Sequence, residues 1–567
     1  MTNPVLIVTG PTAIGGSMTA DAGQGLVAAV RRQLGVMRAS SSVWLDLGLK
    51  AVSAELLSAR AFYQRSGAYK NASYRPAVER YFAEQSYFSS PELTEVVLAG
   101  LLRDAGIGFI VTTFGELADP VKRDTLLAKT DCVFLSSTLM RDLSEMDPLV
   151  RMCKRPHNRV VVGGALASLL HGSWPGHPDV AILAVGYGEL LVPVIADWIK
   201  SGYSTIKAPK GGRVTTIGGN TVVYSGSPDE KSLDWLPTPD WKYAEEYHGR
   251  PFELVHYESV RGCPYRCAFC NYPFLFDDTV FRTKSARRIA DDWMLYAAGG
   301  AKVVNCLDSL FTIPPKRLKE LCEILIAAGS PIRWTCYARA GDLAVPGTAK
   351  MMKDAGCTLV HVGYESGSQV ILDNMNKKSG VKENVAALKN CREAHLTTAA
   401  SLVVGFPGET ESTLVETVDR LADSPPDLFF AGGFNTRMEK MPVLEAAQRE
   451  RFGLVTQSDH RSSAPYWRHA SLSCDRVPSM LRWLNHTLIE KRVALEGSIF
   501  YEGLLGFRHE EREDLLSFQA DILKHAGVLR AGGAVAQRVI EAALRFDLRR
   551  KLQDAPPQPT QPTPATA

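Results

Sequence analysis

Residues 261–270 read Arg261-Gly262-Cys263-Pro264-Tyr265-Arg266-Cys267-Ala268-Phe269-Cys270, which places three of the chain's 11 cysteines on one short turn. Buried cysteines behave as small hydrophobic residues, but core cysteines seldom fall together on a turn that contains Gly and Pro. A structural zinc site normally has four ligands, often as two pairs, and the nearest further cysteine, Cys306, belongs to a separate predicted strand. Three thiolates without a local fourth favour an iron–sulfur cluster, because a cubane cluster normally binds four cysteines and one iron would stay open here.

The spacing of these cysteines, with an aromatic residue directly before the last one, resembles the cluster loop of the radical S-adenosylmethionine (SAM) enzymes. The resemblance implies a [4Fe-4S] cluster on Cys263, Cys267 and Cys270. It also implies that the open iron holds the amino and carboxylate groups of SAM, with Phe269 near the adenine.

Composition places the chain among ordinary soluble globular proteins, since 45% of its 567 residues are hydrophobic and 22% are charged. A formal net charge of +3 favours neither nucleic acid nor membrane as a partner, and no apolar run approaches the length of a membrane span. The first residues lack the basic region of a signal peptide, so the cysteines predict a reducing, cytoplasmic location. We expect a monomer without nucleic-acid or membrane partners.

Residues 1–202 alternate short apolar runs with helical patterns, which is typical of a doubly wound α/β domain with a parallel sheet covered on both faces. Strands are predicted at 5–9, 109–113, 132–136, 159–162 and 181–185, and the last of these is expected to close the sheet. Residues 203–250, rich in Gly, Ser, Pro and charge, are predicted to form a linker.

Three loops that follow strands of this domain are rich in Gly and Ser. Together with the order of the elements, they resemble the flavodoxin-like cobalamin-binding domain of the cobalamin-dependent radical SAM enzymes (the class B radical SAM methyltransferase family). The resemblance implies that the loops surround the nucleotide tail and corrin edge of cobalamin; their residues are Ser136, Ser137 and Thr138, then Gly163 and Gly164, then Gly186, Gly188 and Glu189. Gly and Ser are also good turn residues in any doubly wound domain. An Asp-x-His-x-x-Gly motif is absent, so the expected cobalamin has no histidine ligand from such a motif.

An insertion at about 17–90 contains five tyrosines among several arginines and has helical stretches. A basic, tyrosine-rich face could cover the cofactor or substrate. The alternative that we favour is a solvated helical cap.

Residues 251–438 repeat βα units with polar residues where strands end, which predicts a (β/α) barrel or partial barrel with its site at that rim. A zwitterionic ligand needs a carboxylate for its ammonium group and an arginine for its carboxylate. By resemblance, Asp308 and Ser309 contact the methionine amino group of SAM, and Tyr337, Arg339 and Glu365 with Ser366 hold its ribose and carboxylate. Ser401 and Gly405 would flank the adenine. Taken alone, each of these residues could equally be a polar side chain that faces water at the end of its strand.

The pattern of residues 439–553 predicts a mainly helical C-terminal domain, and residues 554–567, rich in Pro, Thr and Gln, predict a disordered tail. Within the domain, Tyr466-Trp467-Arg468-His469 could line a substrate pocket or be a surface-packed aromatic group.

The resemblance implies an enzyme that transfers a methyl group from SAM through methylcobalamin to an unreactive carbon of a natural product or peptide. An external electron donor of the flavodoxin or ferredoxin type would reduce SAM at the cluster, yielding methionine and a 5′-deoxyadenosyl radical. The alternatives are a cobalamin-dependent cyclisation, rearrangement or non-radical methylation. A methylthiolating or RNA-modifying radical SAM enzyme without cobalamin is another alternative, and a cobalamin-binding sensor is a third class.

Overall fold

The computed structural model describes residues 3–10, 43–436, 440–456 and 466–552, and two seven-stranded sheets dominate it. The strands of the first sheet are β1 (Val5–Thr9), β2 (Phe109–Thr113), β3 (Cys132–Ser136), β4 (Arg159–Gly163), β5 (Val180–Val185), β6 (Arg213–Ile217) and β7 (Asn220–Tyr224). Its first five strands are parallel in the order 2-1-3-4-5, which is the flavodoxin-like order. The predicted fold of this domain is therefore confirmed.

Helices cover both faces of this sheet, as the unbroken apolar strands require. In chain order the helices of this part of the chain are α1 (Val43–Arg65), α2 (Gly67–Lys70), α3 (Arg75–Ala83), α4 (Leu93–Asp104), α5 (Phe114–Leu117), α6 (Pro120–Leu127), α7 (Leu143–Cys153), α8 (Ala165–Leu170) and α9 (Gly188–Lys200). Helices α4 and α9 bury one face of the sheet, and α5 to α8 bury the other. Each crossover leaves a loop at the carboxyl edge of the sheet, where the predicted cobalamin loops lie.

The sheet does not close at β5, so the prediction of a linker over 203–250 is wrong for part of that range. Strand β7 pairs in parallel with β5, and β6 pairs antiparallel with β7. The hairpin turns at Gly218 and Gly219, both with positive φ. A Gly-Gly pair between strands is a hairpin signal, but the surrounding glycines and charges obscured it.

The strands of the second sheet are β8 (Leu254–Tyr257), β11 (Val303–Cys306), β12 (Arg333–Arg339), β13 (Cys357–Glu365), β14 (Thr397–Val404), β15 (Leu428–Gly433) and β18 (Leu495–Glu496). They form an open, parallel barrel wall in the order β8-β11-β12-β13-β14-β15-β18. A short hairpin, β9 (Val260–Arg261) with β10 (Arg282–Thr283), brackets the cysteine turn. The predicted partial barrel is confirmed, and the C-terminal region contributes its last strand.

Helices surround the barrel wall and continue into the C-terminal region. They are α10 (Trp241–His248), α11 (Ala286–Ala298), α12 (Pro315–Ala327), α13 (Ala340–Leu343), α14 (Thr348–Asp354), α15 (Gln369–Asn374), α16 (Val381–Glu393), α17 (Glu411–Asp423), α18 (Ala446–Phe452), α19 (Val477–Glu490), α20 (Gly497–Phe500), α21 (Arg512–His525) and α22 (Gly527–Lys551), with a small hairpin of β16 (Val455–Thr456) and β17 (Trp467–Arg468). None of the helices in the described ranges is long and apolar enough to cross a membrane. The predicted tail at 554–567 lies outside the described residues.

The tyrosine-rich insertion is helical over its described part, and residues 17–42 lie outside that part. All five of its tyrosines, Tyr63, Tyr69, Tyr74, Tyr81 and Tyr87, are buried. They pack against α20 and α21 and against residues from the first halves of the barrel strands, including Leu254 and Val303. The described part of the insertion, residues 43–90, thus closes the end of the barrel opposite the cysteine turn, so this part is neither a cover over the predicted cofactor site nor a solvated cap.

Candidate active site

The cysteine turn lies at the rim where the barrel strands end, between β9 and β10. Gly262 has φ of +74°, and a Cβ atom at this position would lie 2.4 Å from the carbonyl oxygen of Val280. Only glycine fits there without strain. The turn continues along the barrel rim, where the backbone N–H of Ala268 donates to the carbonyl of Met375 at 2.8 Å.

The three cysteines of the turn are free thiols, with Cys267 buried and Cys263 and Cys270 partly exposed. Burial raises the pKa of the Cys270 thiol to about 12, and charge on Cys267 or Cys263 adds to this effect. Among the described residues, no three His, Cys, Asp or Glu side chains are close enough to hold one metal ion. A cubane cluster does not require that closeness, because each cysteine binds a different iron. The donor set therefore fits such a cluster.

Two cations flank the cysteine turn, one at the end of a barrel strand and one in the loop that follows α15. Arg339, at the end of β12, places Nη1 3.7 Å from Sγ of Cys267 and its guanidinium carbon 3.8 Å from the centre of the Tyr265 ring. Lys377 lies 5.7 Å from the centre of the Phe269 ring and pairs with Glu365 at 2.6 Å between Nζ and Oε1. Positive charge beside the thiols would stabilise an anionic cluster.

Glu365 ends β13 with φ of +61°, an uncommon conformation for a residue with a side chain. Its carboxylate and the Lys377 ammonium are both buried. Arg339 also donates to the backbone carbonyl of Lys377. The structure thus places Phe269, Arg339 and Glu365 close to one another beside the cysteine turn, and their roles toward SAM stay predictions.

Asp308 has a different environment from the predicted one. It is fully buried, and its Oδ1 accepts from the backbone N–H groups of Ser259 and Val260 at 2.7 and 2.9 Å, while Oδ2 accepts from the Ser259 hydroxyl. Burial raises the pKa of Asp308 to about 6. Because both oxygens are occupied by the segment that leads into the cysteine turn, Asp308 anchors that segment and offers no free carboxylate to an amino group.

The other predicted rim residues divide into structural and accessible ones. Ser366 is buried, where its hydroxyl lies 3.3 Å from that of Thr417 and accepts from the N–H of Ser368 at 3.1 Å. Gly405, with φ of +92°, donates to the Glu409 carboxylate. Ser309 is exposed beside the Tyr272 hydroxyl, and Ser401 is half-buried on β14, opposite Gly363 and Phe430. Ser366 and Gly405 therefore shape the rim, whereas Ser309 and Ser401 remain accessible to a ligand.

The motif Tyr466-Trp467-Arg468-His469 supports this rim and does not line it. Tyr466, Trp467 and His469 are buried, and the Trp467 and His469 rings stack with centroids 5.2 Å apart. Nε2 of His469 lies 3.2 Å from the carbonyl oxygen of Gly405. The motif therefore holds the turn after β14, which is closer to the packing alternative than to a substrate pocket.

Below the rim, Tyr337 is 38% exposed and stacks on His361 with ring centroids 4.6 Å apart. Burial lowers the pKa of His361 to about 4, so the imidazole is neutral at pH 7. Phe430 and Tyr87 approach the same imidazole at 6.2 and 6.3 Å. Of these four side chains, only Tyr337 was predicted from the sequence as a site residue. The period-2 alternation Leu359, His361, Gly363, Glu365 along β13 is the signal that could have added His361.

A cavity of about 330 Å³ separates the first domain from the cysteine turn. Seven of the predicted cobalamin-loop residues line it: Ser136, Thr138, Gly163, Gly164, Gly186, Gly188 and Glu189. Apolar residues of α4 and α9 line it as well, and Tyr272, Phe276 and Leu307 close it from the barrel side. Ser137 lies behind the lining, where its hydroxyl donates to the Gly163 carbonyl at 2.8 Å. No histidine is found among the described residues that line this cavity.

Gly164 shows why one of these loops needs glycine. Its φ is +103°, and a Cβ atom there would lie 2.6 Å from Oγ1 of Thr138 and 2.9 Å from its backbone nitrogen. Glycine therefore lets this loop pack directly on the loop of Ser137 and Thr138, and a side chain would force the two loops apart. A cavity with these polar loops along one edge and an apolar wall beside them fits the polar rim and apolar face of a corrinoid.

Comparison with known proteins agrees with this arrangement. The family model described as "Radical SAM superfamily" matches residues 257–421. The chain is 28% identical over 262 residues to the anaerobic magnesium-protoporphyrin IX monomethyl ester cyclase of Cereibacter sphaeroides, covering 44% of this chain and 42% of that one. It is 27% identical over 203 residues to the bacteriochlorophyllide d C-12(1)-methyltransferase of Chlorobaculum tepidum, covering 35% and 44%. The match thus spans less than half the length of these two curated relatives.

Solved structures extend the likeness across both domains. The radical SAM methyltransferase TsrM from Kitasatospora setae, with cobalamin and a [4Fe-4S] cluster bound, superposes with a TM-score of 0.55 at 16% identity, covering 78% of this chain and 98% of that one. The cobalamin-dependent SAM radical enzyme OxsB, with aqua-cobalamin and SAM bound, gives 0.50 at 14% identity, covering 82% and 72%. The radical SAM family model thus matches residues 257–421 of this chain, and over both domains the chain has the fold of the two cobalamin-bound enzymes TsrM and OxsB.

Proposed function

We propose that the protein is a cobalamin-dependent radical SAM methyltransferase that transfers a methyl group from SAM to a carbon of a small-molecule or peptide substrate. The observation that carries this proposal is the cavity between the domains. Its lining combines the strand-end loops of a flavodoxin-like domain with residues that flank the cysteine turn. Arg261 and Tyr272, which line the cavity, lie two residues from Cys263 and Cys270, so a ligand in the cavity would lie beside the cluster site.

Each set of residues has a role in this proposal. Cys263, Cys267 and Cys270 would hold the [4Fe-4S] cluster, and Arg339 with Lys377 would offset its negative charge. Glu365 would offer an oxygen to SAM at the rim. When bound, the cluster and the corrinoid supply the reduction of SAM and the methyl transfer, and the protein orients the three reactants and excludes water.

The exposed ring of Tyr337 and the hydroxyl of Ser401 face the interior of the barrel wall, at or below the rim. A substrate held there would approach the SAM site from inside the barrel. The neutral His361 imidazole behind Tyr337 adds a polar group that can donate or accept a hydrogen bond.

Anaerobic reconstitution with iron, sulfide and hydroxocobalamin, followed by metal and corrinoid analysis, tests the proposal. We expect about four irons and one corrinoid per chain. SAM carrying a labelled methyl group, added with a reductant, should then place the label on the corrinoid.

A matched pair of variants separates corrinoid binding from folding. Gly164→Ala adds a Cβ atom that would clash with Thr138 and displace two of the loops that line the cavity. Gly202→Ala changes a glycine of the same domain that also has positive φ, but an added Cβ atom there would have no atom within 4 Å. We expect G164A to keep its iron and lose its corrinoid, and G202A to keep both. If the wild-type protein and G202A retain iron without corrinoid, cobalamin and methyl transfer are excluded, and a radical SAM enzyme without cobalamin takes their place.

A further inference from the structure

Arg261, the residue directly before Gly262 and Cys263, links the two domains at the cavity. Its guanidinium is 7% exposed and donates through Nη1 and Nη2 to the two carboxylate oxygens of Glu189 at 2.9 and 2.7 Å. Nε and Nη2 also donate to Oε2 of Glu258 at 2.9 and 2.8 Å. One arginine therefore joins the first turn of α9 to the segment that leads into the cysteine turn.

Aromatic rings flank this guanidinium. The ring centres of Tyr187 and Phe276 lie 5.2 and 5.0 Å from its central carbon, within the range of cation–π contact. Tyr187 and Glu189 belong to the same strand-end loop of the first domain, so this loop contributes both a ring and a carboxylate.

Electrostatics keep the group ionised although it is buried. The Arg261 guanidinium lies against the carboxylates of Glu189 and Glu258, which offset the cost of burying its charge. Burial alone would raise the pKa of Glu189, and the Arg261 guanidinium holds it below its ordinary value. Buried ion pairs add little net stability compared with apolar residues of the same shape. The more specific effect of the bidentate Arg261–Glu189 pair is that it fixes the orientation of the two side chains relative to each other.

We infer that Arg261 is a positioning residue that fixes the 186–189 loop, and with it the cavity wall, relative to the cysteine turn. The identity of the aligned groups, a corrinoid and a cluster, rests on the proposed function. The linkage of the two segments by Arg261 does not depend on it. Glu189 and Arg261 line the cavity together with Glu258. Both oxygens of Glu189 are taken by Arg261, so Glu189 acts through Arg261 and does not offer a free carboxylate to the ligand.

The test uses Arg261→Lys, which keeps the charge but cannot pair with both carboxylates or lie flat between two rings. Arg317→Lys is the matched control. Arg317 is also 7% exposed and donates to the hydroxyl of Ser259, close to Arg261 in the chain, but this bond and its bond to the Phe311 carbonyl both stay within the barrel domain.

Hydrogen–deuterium exchange on the full chain, without added cofactors, gives the first readout. We expect R261K to speed exchange in 186–192 and in 258–263 together by about tenfold, the effect of losing a hydrogen bond to a charged group. R317K should leave 186–192 unchanged. Unchanged exchange of 186–192 in R261K would overturn the inference.

Pulsed EPR on the reconstituted protein gives the second readout, because a role in overall stability alone would not change it. The distance distribution between the paramagnetic corrinoid cobalt and the reduced cluster should broaden or shift in R261K and stay as in wild type in R317K. An identical distribution in R261K would contradict alignment by Arg261. If the wild-type protein binds no corrinoid, the proposed function fails, and the exchange result still decides whether Arg261 links the two segments.

Discussion

The two ends of the barrel wall are built from the same strands and have opposite character. At the lower end, where the strands begin, Leu254 and Val303 pack against the buried tyrosines of the insertion. At the upper end, where the strands finish, the buried Glu365–Lys377 pair and Arg339 surround partly exposed cysteines.

Hydrogen bonding shows what this difference means. At the lower end, two of the buried tyrosine hydroxyls donate to protein partners: Tyr74 to Asp521 at 2.7 Å, and Tyr81 to the Phe500 carbonyl at 2.9 Å. At the upper end, charges are buried close to thiols, and Glu365 ends its strand with φ of +61°. The lower end therefore stabilises the barrel, and the upper end keeps conformations and charges that cost stability and serve a ligand.

The largest effect is expected from Cys270→Ala at the upper end. Loss of one thiolate from a site with only three should reduce reconstituted iron from about four per chain to below about one. Iron and sulfide analysis with far-UV circular dichroism measures this. Cys391→Ala, at a fully buried cysteine of α16, is the control and should keep its iron. A C270A variant that retains full iron would remove the cluster from this turn.

Residues at the upper end of the barrel were predictable because the sequence patterns that indicate them are local. The spacing of Cys263, Cys267 and Cys270, and the small residues after strands, depend on neighbours only a few positions away. Since the carboxyl ends of parallel strands share one edge of a sheet, those local signals also predicted that Gly163, Gly164 and Gly186 would meet in one place.

Contacts between distant segments were not predictable in this way. The position of Asp308 at a strand end was predicted from the sequence. The hydrogen bonds that its carboxylate accepts from the N–H groups of Ser259 and Val260 were not predicted. Tyr87, in the insertion, lies against His361 of β13, far away in the chain. Arg261 donates a hydrogen bond to Glu189, which belongs to the other domain. Periodicity tells which face a residue occupies, but not which partner lies opposite.

The second effect, at the lower end, concerns Tyr81, which is fully buried. Tyr81→Ala should lower the free energy of unfolding by about 3–5 kcal/mol through the cavity it leaves. Tyr81→Phe, which removes only the hydrogen bond to Phe500, should cost about 1 kcal/mol. Urea unfolding measures both. Iron content after reconstitution should stay at the wild-type value, and a loss of iron without a loss of stability would contradict the separation of the two ends.

The smallest effect is a pH dependence at the upper end, carried by Glu409. Burial raises the pKa of Glu409 to about 7, although the N–H of Gly405 donates to it. The folded protein therefore favours the protonated acid, and this contribution to stability is full below pH 4.5 and is lost as the pH rises through 7. The loss amounts to at most about 3 kcal/mol.

Glu409→Gln keeps an oxygen for Gly405 and cannot ionise. It should be more stable than wild type at pH 8 and nearly equal to it at pH 5, as measured by urea unfolding at both values. Glu411→Gln, whose side chain is 84% exposed, is the control and should keep the wild-type pH profile. If E409Q also keeps the wild-type pH profile, ionisation of the Glu409 carboxylate does not destabilise the folded protein. The turn after β14 would then tolerate the charge, and the prediction would be wrong.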